Sequence, residues 1–289
     1  MAVSAAPAKL TLPAPAKLNL FLHVTGRRSD GYHTLETLLV PIDRCDRITL
    51  TPREGPEIVR GRGVAEVAPD DDLAVRAARL LQRHCGVAGG ITIDVEKHIP
   101  IGGGLGGGSS DAATVLLGLN RLWQLGLSRS ALMALALELG ADVPFFVFGE
   151  AALARGVGHV LERISVPPTW FAVLTPPVHV STATIFAAPE LTRQSPSAKI
   201  PVFSEVYGGN DLQAVAVSRF PQIAACLEVL AGETGGRVAM SGSGSSVFAA
   251  FDAEDAAART LSRAARAGCG EGFVARALDC HPLQHFAAP

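Results

Sequence analysis

The sequence predicts an α+β protein, and three observations carry that prediction. Segments with the two-residue alternation of strands and segments with helical spacing occur in both halves of the chain. A β-branched run, "GITIDVEKHIP", leads directly into six glycines within seven residues, Gly102 to Gly108, and a helical pattern follows them. Near Gly149 to Gly158 the pattern changes, and a proline-rich stretch (Pro167, Pro168, Pro176, Pro177) opens a second domain. We therefore expect one domain over 1–153, carrying the glycine loop, and another over 154–289, which suits a chain of 289 residues.

The elements follow in order. "AKLNLFLHV", Ala16 to Val24, alternates, with Leu18, Leu20, Leu22 and Val24 on one face and Lys17, Asn19, Phe21 and His23 on the other. Asp30-Gly31 marks a turn, and the apolar run "LETLLVPI" returns from it. Leu73, Ala77, Leu80 and Leu81 recur at helical spacing, with Gly86 suited to the end of that helix. After the glycines, Ala112, Val115, Leu116, Leu119 and Leu122 mark one apolar helix face. Ser128 can cap the next helix, "RSALMALALELG", and Gly140 stops it.

Composition removes several classes of function. A formal net charge of −2 with no basic run gives no footprint for nucleic acid. No apolar stretch approaches the roughly 18 residues of a membrane span, and the N-terminus lacks the apolar core of a signal peptide. The five cysteines form no C-x-x-C pair, which fits reduced thiols in the cytoplasm. The eight histidines include no H-E-x-x-H, so a metal cage has no support.

Strand, glycines, Ser109-Ser110, then helix: this order aims backbone N–H groups and the positive end of a helix dipole at one point, which binds phosphate. The candidate phosphate-binding residues are Pro100, Ile101, Gly102, Gly103, Gly104, Leu105, Gly106, Gly107, Gly108, Ser109 and Ser110, the two serines as helix caps or as phosphate and magnesium ligands. Gly102, Gly104 and Gly107 satisfy G-x-G-x-x-G, yet no Asp or Glu lies between Asp111 and Glu138, where a dinucleotide site needs one. A P-loop would need lysine where Ser109 stands, and a nucleophile elbow would need glycine at Asp111. A phosphate loop of another kind remains.

"PIGGGLGGGSSDAA" resembles the central phosphate-binding motif of the GHMP kinases, the superfamily of galactokinase, homoserine kinase and mevalonate kinase. "PAKLNLFLHVTGRRSDGYHTLETLL", "LGADVPFFVFG" and "MSGSGSSVFAAF" match in the same order, so the resemblance runs from about Pro15 to the final helix. It implies the two-domain GHMP kinase fold: an N-terminal domain with a left-handed βαβ crossover, a ferredoxin-like C-terminal domain, and a cleft between them for ATP and substrate. Within the superfamily the resemblance is closest to the branch that phosphorylates the 2-hydroxyl of a methylerythritol unit bearing a cytidine diphosphate group. That reaction belongs to the non-mevalonate route to isoprenoid precursors. A homoserine- or mevalonate-type kinase and a nucleotide-binding protein without catalysis are the alternatives.

The resemblance also assigns roles. Asp142, in "GADVP", matches the catalytic base, and Lys17 matches the lysine paired with it; taken alone, Asp142 also suits a turn cap and Lys17 a solvated strand edge. Lys9, in the duplicated "PAKL", is a weaker rival of Lys17. Tyr32, His33 and Phe186 match positions that hold the cytosine ring, with Asn19, Val157 and Thr182 as further substrate contacts. The "GSGSS" loop, Gly242 to Ser246, either braces the glycine loop, touches phosphate, or is a plain turn. Leu39 stands where relatives often have an aromatic, and Asp72 where an Asn is frequent near the adenine. Magnesium is expected with ATP, its ligands unassigned. The expected assembly is a monomer or weak homodimer.

Overall fold

Two long strands organise the N-terminal lobe of the computed structural model, which describes residues 9–196, 209–234 and 237–288. The segment 1–8, which bears on a leader and on the first "PAKL", lies outside them. β1 (Leu10–Arg27) and β2 (His33–Arg53) form an antiparallel hairpin around the expected Asp30-Gly31 turn. The alternation in β1 predicts one wet face, but Lys17 and Asn19 are only 3% and 4% exposed. The reason is that β1 contributes to three apolar clusters in succession. Leu12 and Ala14 join the N-terminal core, Leu18, Leu20 and Phe21 a core shared with the second sheet, and Leu22 and Val24 the C-terminal core. A register shift between Asn19 and Phe21 breaks the two-residue period where the strand passes from one core to the next.

β3 (Ile58–Arg60), β4 (Gly90–Glu96), β5 (Ala152–Gly156) and β6 (Val160–Arg163) complete the first sheet in the order β3-β4-β2-β5-β6, with β1 on β2. β3 and β4 are parallel neighbours joined through α1 (Leu73–Cys85), the crossover unit of this lobe. Asp72 caps α1 by accepting from the Ala74 amide at 2.9 Å, and Gly86, at φ 64°, ends it. α2 (Gly107–Leu122) is buried on every side from Ser110 to Asn120, more than the single apolar face the sequence displays. α3 (Arg129–Leu139) starts at Ser128, whose hydroxyl accepts from the Ala131 amide at 3.2 Å, and α4 (Val143–Phe148) follows at once.

The second lobe contains β7 (Trp170–Thr175), β8 (Val238–Met240), β9 (Val247–Phe251) and β10 (Glu271–Arg276) in the antiparallel order β10-β7-β9-β8. α5 (Thr182–Phe186), α6 (Asp211–Arg219) and α7 (Pro221–Thr234) lie between β7 and β8, and α8 (Glu254–Arg266) between β9 and β10. This β-α-β-β-α-β succession is ferredoxin-like. Among the described residues, no single helix is long and apolar enough to cross a membrane.

The division between lobes departs from the expected 153/154 boundary in two places. β5 spans that boundary and pairs with both β2 and β6, so the chain leaves the first sheet only after Arg163. The chain also returns: Leu283 and Ala287 are buried in the N-terminal core. The returning segment is tied by Leu278 N to Pro41 O at 2.9 Å and His281 N to Gly149 O at 2.7 Å. The Arg129 guanidinium donates to Val147 O at 2.7 Å, to Ala287 O at 3.2 Å and to Gln284 O, so one side chain joins α3, α4 and the returning segment.

Arg129→Met leaves those carbonyls without their donor. It should lower the unfolding free energy by about 1–3 kcal/mol in urea denaturation. An unchanged midpoint would show that the returning segment holds without it.

Candidate active site

The lobes enclose a cleft of about 490 Å³ whose floor is the glycine loop and whose walls come from β1, β2, α1, Asp142 before α4, α5 and the loop after β8. Pro100 through Gly108 and Ser109 all line it. α2 begins here with Gly106, at φ 73°, as its cap, and no side chain caps the helix. The first helical bond, Ser110 N to Gly106 O at 2.9 Å, leaves the amides of Gly107, Gly108 and Ser109 without a carbonyl one turn earlier. Three bare amides at the positive end of a helix are an anion site. Ser110 departs from expectation: it is fully buried, its hydroxyl has no partner, and it does not line the cleft. Neither serine caps the helix.

The shape of the loop is set by its neighbours. Gly104 lies at φ 74°, and a Cβ there would stand 2.1 Å from the Ser241 carbonyl oxygen, so glycine is required on both counts. The Gly104 carbonyl accepts from Lys17 Nζ at 2.8 Å and from Ser241 Oγ at 3.0 Å, and Ser246 N donates to Gly103 O at 3.1 Å. The GSGSS loop therefore braces the glycine loop, and its Gly242 and Ser243 also line the cleft.

Lys17 is held at the base of this cleft by Gly104 O and Asn19 Oδ1, with Asp142 Oδ2 at 4.0 Å. Asn19 is fixed in turn by its amide nitrogen donating to Thr37 Oγ1 at 2.9 Å. Burial lowers the Lys17 pKa below the ordinary lysine value, and the Asp142 carboxylate partly raises it back. The solvated strand-edge reading of Lys17 thus fails. Asp142 occupies the cap position of α4 but makes no cap hydrogen bond, and its side chain is 47% exposed toward the cleft. The turn-cap reading fails as well. At 4.0 Å, a hydroxyl oxygen about 2.8 Å from each group fits between ammonium and carboxylate. Lys9 is exposed on the strand's far end and has no contact with the site.

Of the residues matched to cytosine, Phe186 lines the cleft, as do the further substrate candidates Asn19, Val157 and Thr182. Thr182 Oγ1 lies 2.8 Å from Ser243 Oγ. His33 stacks on Phe186 with ring centroids 5.1 Å apart, and Arg193 Nε donates to His33 Nε2 at 3.2 Å. Burial, then Arg193 and Arg27, lower the His33 pKa, which favours the neutral ring. Tyr32 sits on the β1–β2 turn, 65% exposed, and neither it nor His33 belongs to the cleft wall. Leu39 is part of that wall, and Asp72 caps α1 while pairing with Arg60 at 3.5 Å, a partnership an Asn could not supply.

Sequence reasoning missed Lys97, Asp46 and Asp111. Lys97 Nζ donates to Asp46 and to Asp111 Oδ2, the latter at 2.8 Å, directly under the start of α2. A lysine just before the glycines and an aspartate just after them were visible signals. Their meeting with Asp46, from a distant strand, was not. Arg193 was missed for the same reason. No cluster of three or more His, Cys, Asp or Glu side chains able to hold a metal occurs among the described residues.

Comparison with known proteins gives the family. The family description "GHMP kinases N terminal domain" matches residues 72–150, and "GHMP kinases C terminal" matches 201–268. The chain is 56% identical to 4-diphosphocytidyl-2-C-methyl-D-erythritol kinase of Thiobacillus denitrificans, over 95% of this chain and 97% of that one. It is 52% identical to the protein of that name from Nitrosospira multiformis, over 97% and 95%. A crystal structure of 4-(cytidine 5'-diphospho)-2C-methyl-D-erythritol kinase superposes with a TM-score of 0.80 at 36% identity, covering 93% of this chain and 99% of that one. A homoserine kinase from Cytophaga hutchinsonii shares the fold, with a TM-score of 0.74 at 16% identity over 97% and 98% of the two chains. A bare-amide cradle, a lysine–aspartate pair across from it and this degree of identity lead to one conclusion: the chain belongs to the 4-diphosphocytidyl-2-C-methyl-D-erythritol kinase family of the GHMP kinases.

Proposed function

We propose that this chain transfers the γ-phosphoryl group of ATP to the 2-hydroxyl of 4-diphosphocytidyl-2-C-methyl-D-erythritol, giving the 2-phosphate and ADP, in the non-mevalonate synthesis of isoprenoid precursors. The observation that carries this reading is the Lys17–Asp142 pair, set in the same cleft as the bare amides of α2. The names and high identity of the relatives support the substrate.

The division of labour follows from the chemistry of each group. The amides of Gly107, Gly108 and Ser109 hold the nucleotide's phosphates, whose charge the helix dipole offsets. Asp142 accepts the proton of the attacking hydroxyl, and Lys17 orients that hydroxyl and stabilises the oxygen's developing charge. Burial suits the task of Lys17, since a charge acts more strongly where water is scarce. Phe186, His33 and Tyr32 take the pyrimidine, the turn bearing Tyr32 folding over it, and Asn19, Val157 and Thr182 complete the substrate wall. Magnesium would come with the phosphates, and Ser109, which lines the cleft, would be the hydroxyl that the glycine loop offers it. When bound it neutralises phosphate charge. The enzyme works in the cytoplasm as a monomer or weak homodimer, on a small molecule and not on nucleic acid or a membrane.

A coupled assay of ADP release over a panel of alcohols tests the reaction and its acceptor together. Turnover should be confined to the cytidine diphosphate-linked diol, and turnover on homoserine or mevalonate alone would overturn the assignment. Asp142→Asn should lower kcat by roughly 10²–10⁴ with ATP affinity little changed. Near-normal kcat would remove the carboxylate from the chemistry. Gly104→Ala should weaken displacement of a fluorescent nucleotide by about tenfold or more, since the loop must leave its left-handed conformation. The depressed Lys17 pKa sets the alkaline limb: kcat should fall as pH rises, below the range of an exposed lysine. In Asp142→Asn, which loses the influence raising that pKa, the residual activity should fall at still lower pH.

A further inference from the structure

Arg193 lies half-buried on the segment that follows α5, where the chain comes against the first lobe: Ser195 N donates to Val24 O of β1 at 3.0 Å. Its guanidinium is used as a fork. Nε donates to His33 Nε2 at 3.2 Å. Nη2 donates to the carbonyls of Phe186 at 3.2 Å and Ala188 at 2.6 Å, and Nη1 to those of Leu191 at 3.1 Å and Pro189 at 3.5 Å. All five N–H groups of one planar head are thus engaged. A lysine, with its donors on a single atom at the end of a mobile stem, could not hold the same set.

These bonds join the lobes at one place. His33 opens β2 in the first lobe, and Phe186 ends α5 in the second. Their ring planes are tilted by 31°. Hydrogen bonds to the nitrogen of one ring and to the main chain of the other fix the pair more tightly than the ring contact could alone. The same bond selects the form of the imidazole. Arginine only donates, so Nε2 accepts, and the proton of the neutral ring is on Nδ1. The glycine loop and Lys17 are held by other bonds, through Gly104 O, Ser241 and Asn19.

We propose that Arg193 is a positioning residue for the pyrimidine: it clamps His33 to the end of α5 and so sets the Phe186 wall of the cleft before the nucleoside arrives. The proposal rests on the reading that this cleft takes a cytidine diphosphate-linked alcohol. Arg193 does not itself line the cleft, so it acts through the two rings. A wall ordered in advance spares the substrate the cost of ordering it, and that saving belongs to binding of the pyrimidine, not to binding of ATP or to phosphoryl transfer.

Steady-state kinetics with the cytidine diphosphate-linked diol and with ATP separate this role from a general structural one. Arg193→Gln and Arg193→Lys should each raise KM for the diol about tenfold or more, with KM for ATP changed less than about twofold and kcat less than about threefold. A diol KM unchanged in either variant, or one that rises in step with the ATP KM, overturns the proposal. Nitrogen NMR of labelled protein at about pH 7.5, with His33 assigned through His33→Gln, should show a bare Nε2 and a protonated Nδ1 in the wild type. That pattern should be lost in both Arg193 variants; its persistence there, or an Nε2–H ring in the wild type, overturns the clamp. Should the variants fail to fold, the wild type decides: His33 signals that shift on addition of cytidine diphosphate support the proposal, and signals unmoved by it overturn it. Absence of wild-type turnover on the diol would instead remove the kinase reading on which the clamp depends.

Discussion

The carbonyl oxygen of Gly104 is the point on which this architecture turns. It accepts one hydrogen bond from Lys17 of the first strand and another from Ser241 of the second lobe. Three segments far apart in sequence thus meet on one atom. The backbone reaches it only because Gly104 adopts a left-handed conformation against Ser241, which a side chain would prevent. Removing Lys17 or Ser241 takes away one of the two donors to that carbonyl, a loss that costs more where water is scarce.

From that junction the functional geometry follows. Lys17 cannot swing away from the cleft, since Gly104 and Asn19 fix its ammonium and Thr37 fixes Asn19. Phe146 of α4 packs where a Cβ on Gly106 would lie, so the helix that follows Asp142 is set against the phosphate cradle. Asp142, Lys17 and the glycine loop are thereby placed by packing and hydrogen bonds of the fold itself. A buried lysine without a counterion would tend to lose its proton, and the carboxylate of Asp142 opposes that loss.

Much of this was legible in the residues themselves. The cap at Ser128, the stops at Gly86 and Gly140, and the strand–glycine–helix order are local signals, and local chemistry decides them. The roles of Lys17 and Asp142 came from resemblance, because spacing alone left a surface lysine and a turn aspartate equally reasonable. Two-residue periodicity could not reveal that β1 is buried on both faces, since its second face is covered by a sheet formed more than a hundred residues later. The Asp46–Lys97–Asp111 cluster and the Arg193–His33 contact escaped for the same reason: each joins segments whose proximity is a property of topology. Ser110 was misplaced by one step on a helix, where neighbouring residues point in very different directions.

The return of the chain to its first lobe has a consequence for how the protein is made. Leu283 and Ala287 fill space in a core whose other members are largely synthesised before residue 155. During translation that lobe must wait, its apolar surface incomplete, while the whole second lobe emerges from the ribosome. Because β1 is also shared with the later lobe, neither half can finish alone. Biogenesis of the two lobes is therefore concerted, and the lag exposes the early half to chaperones and aggregation until its last strap of chain arrives.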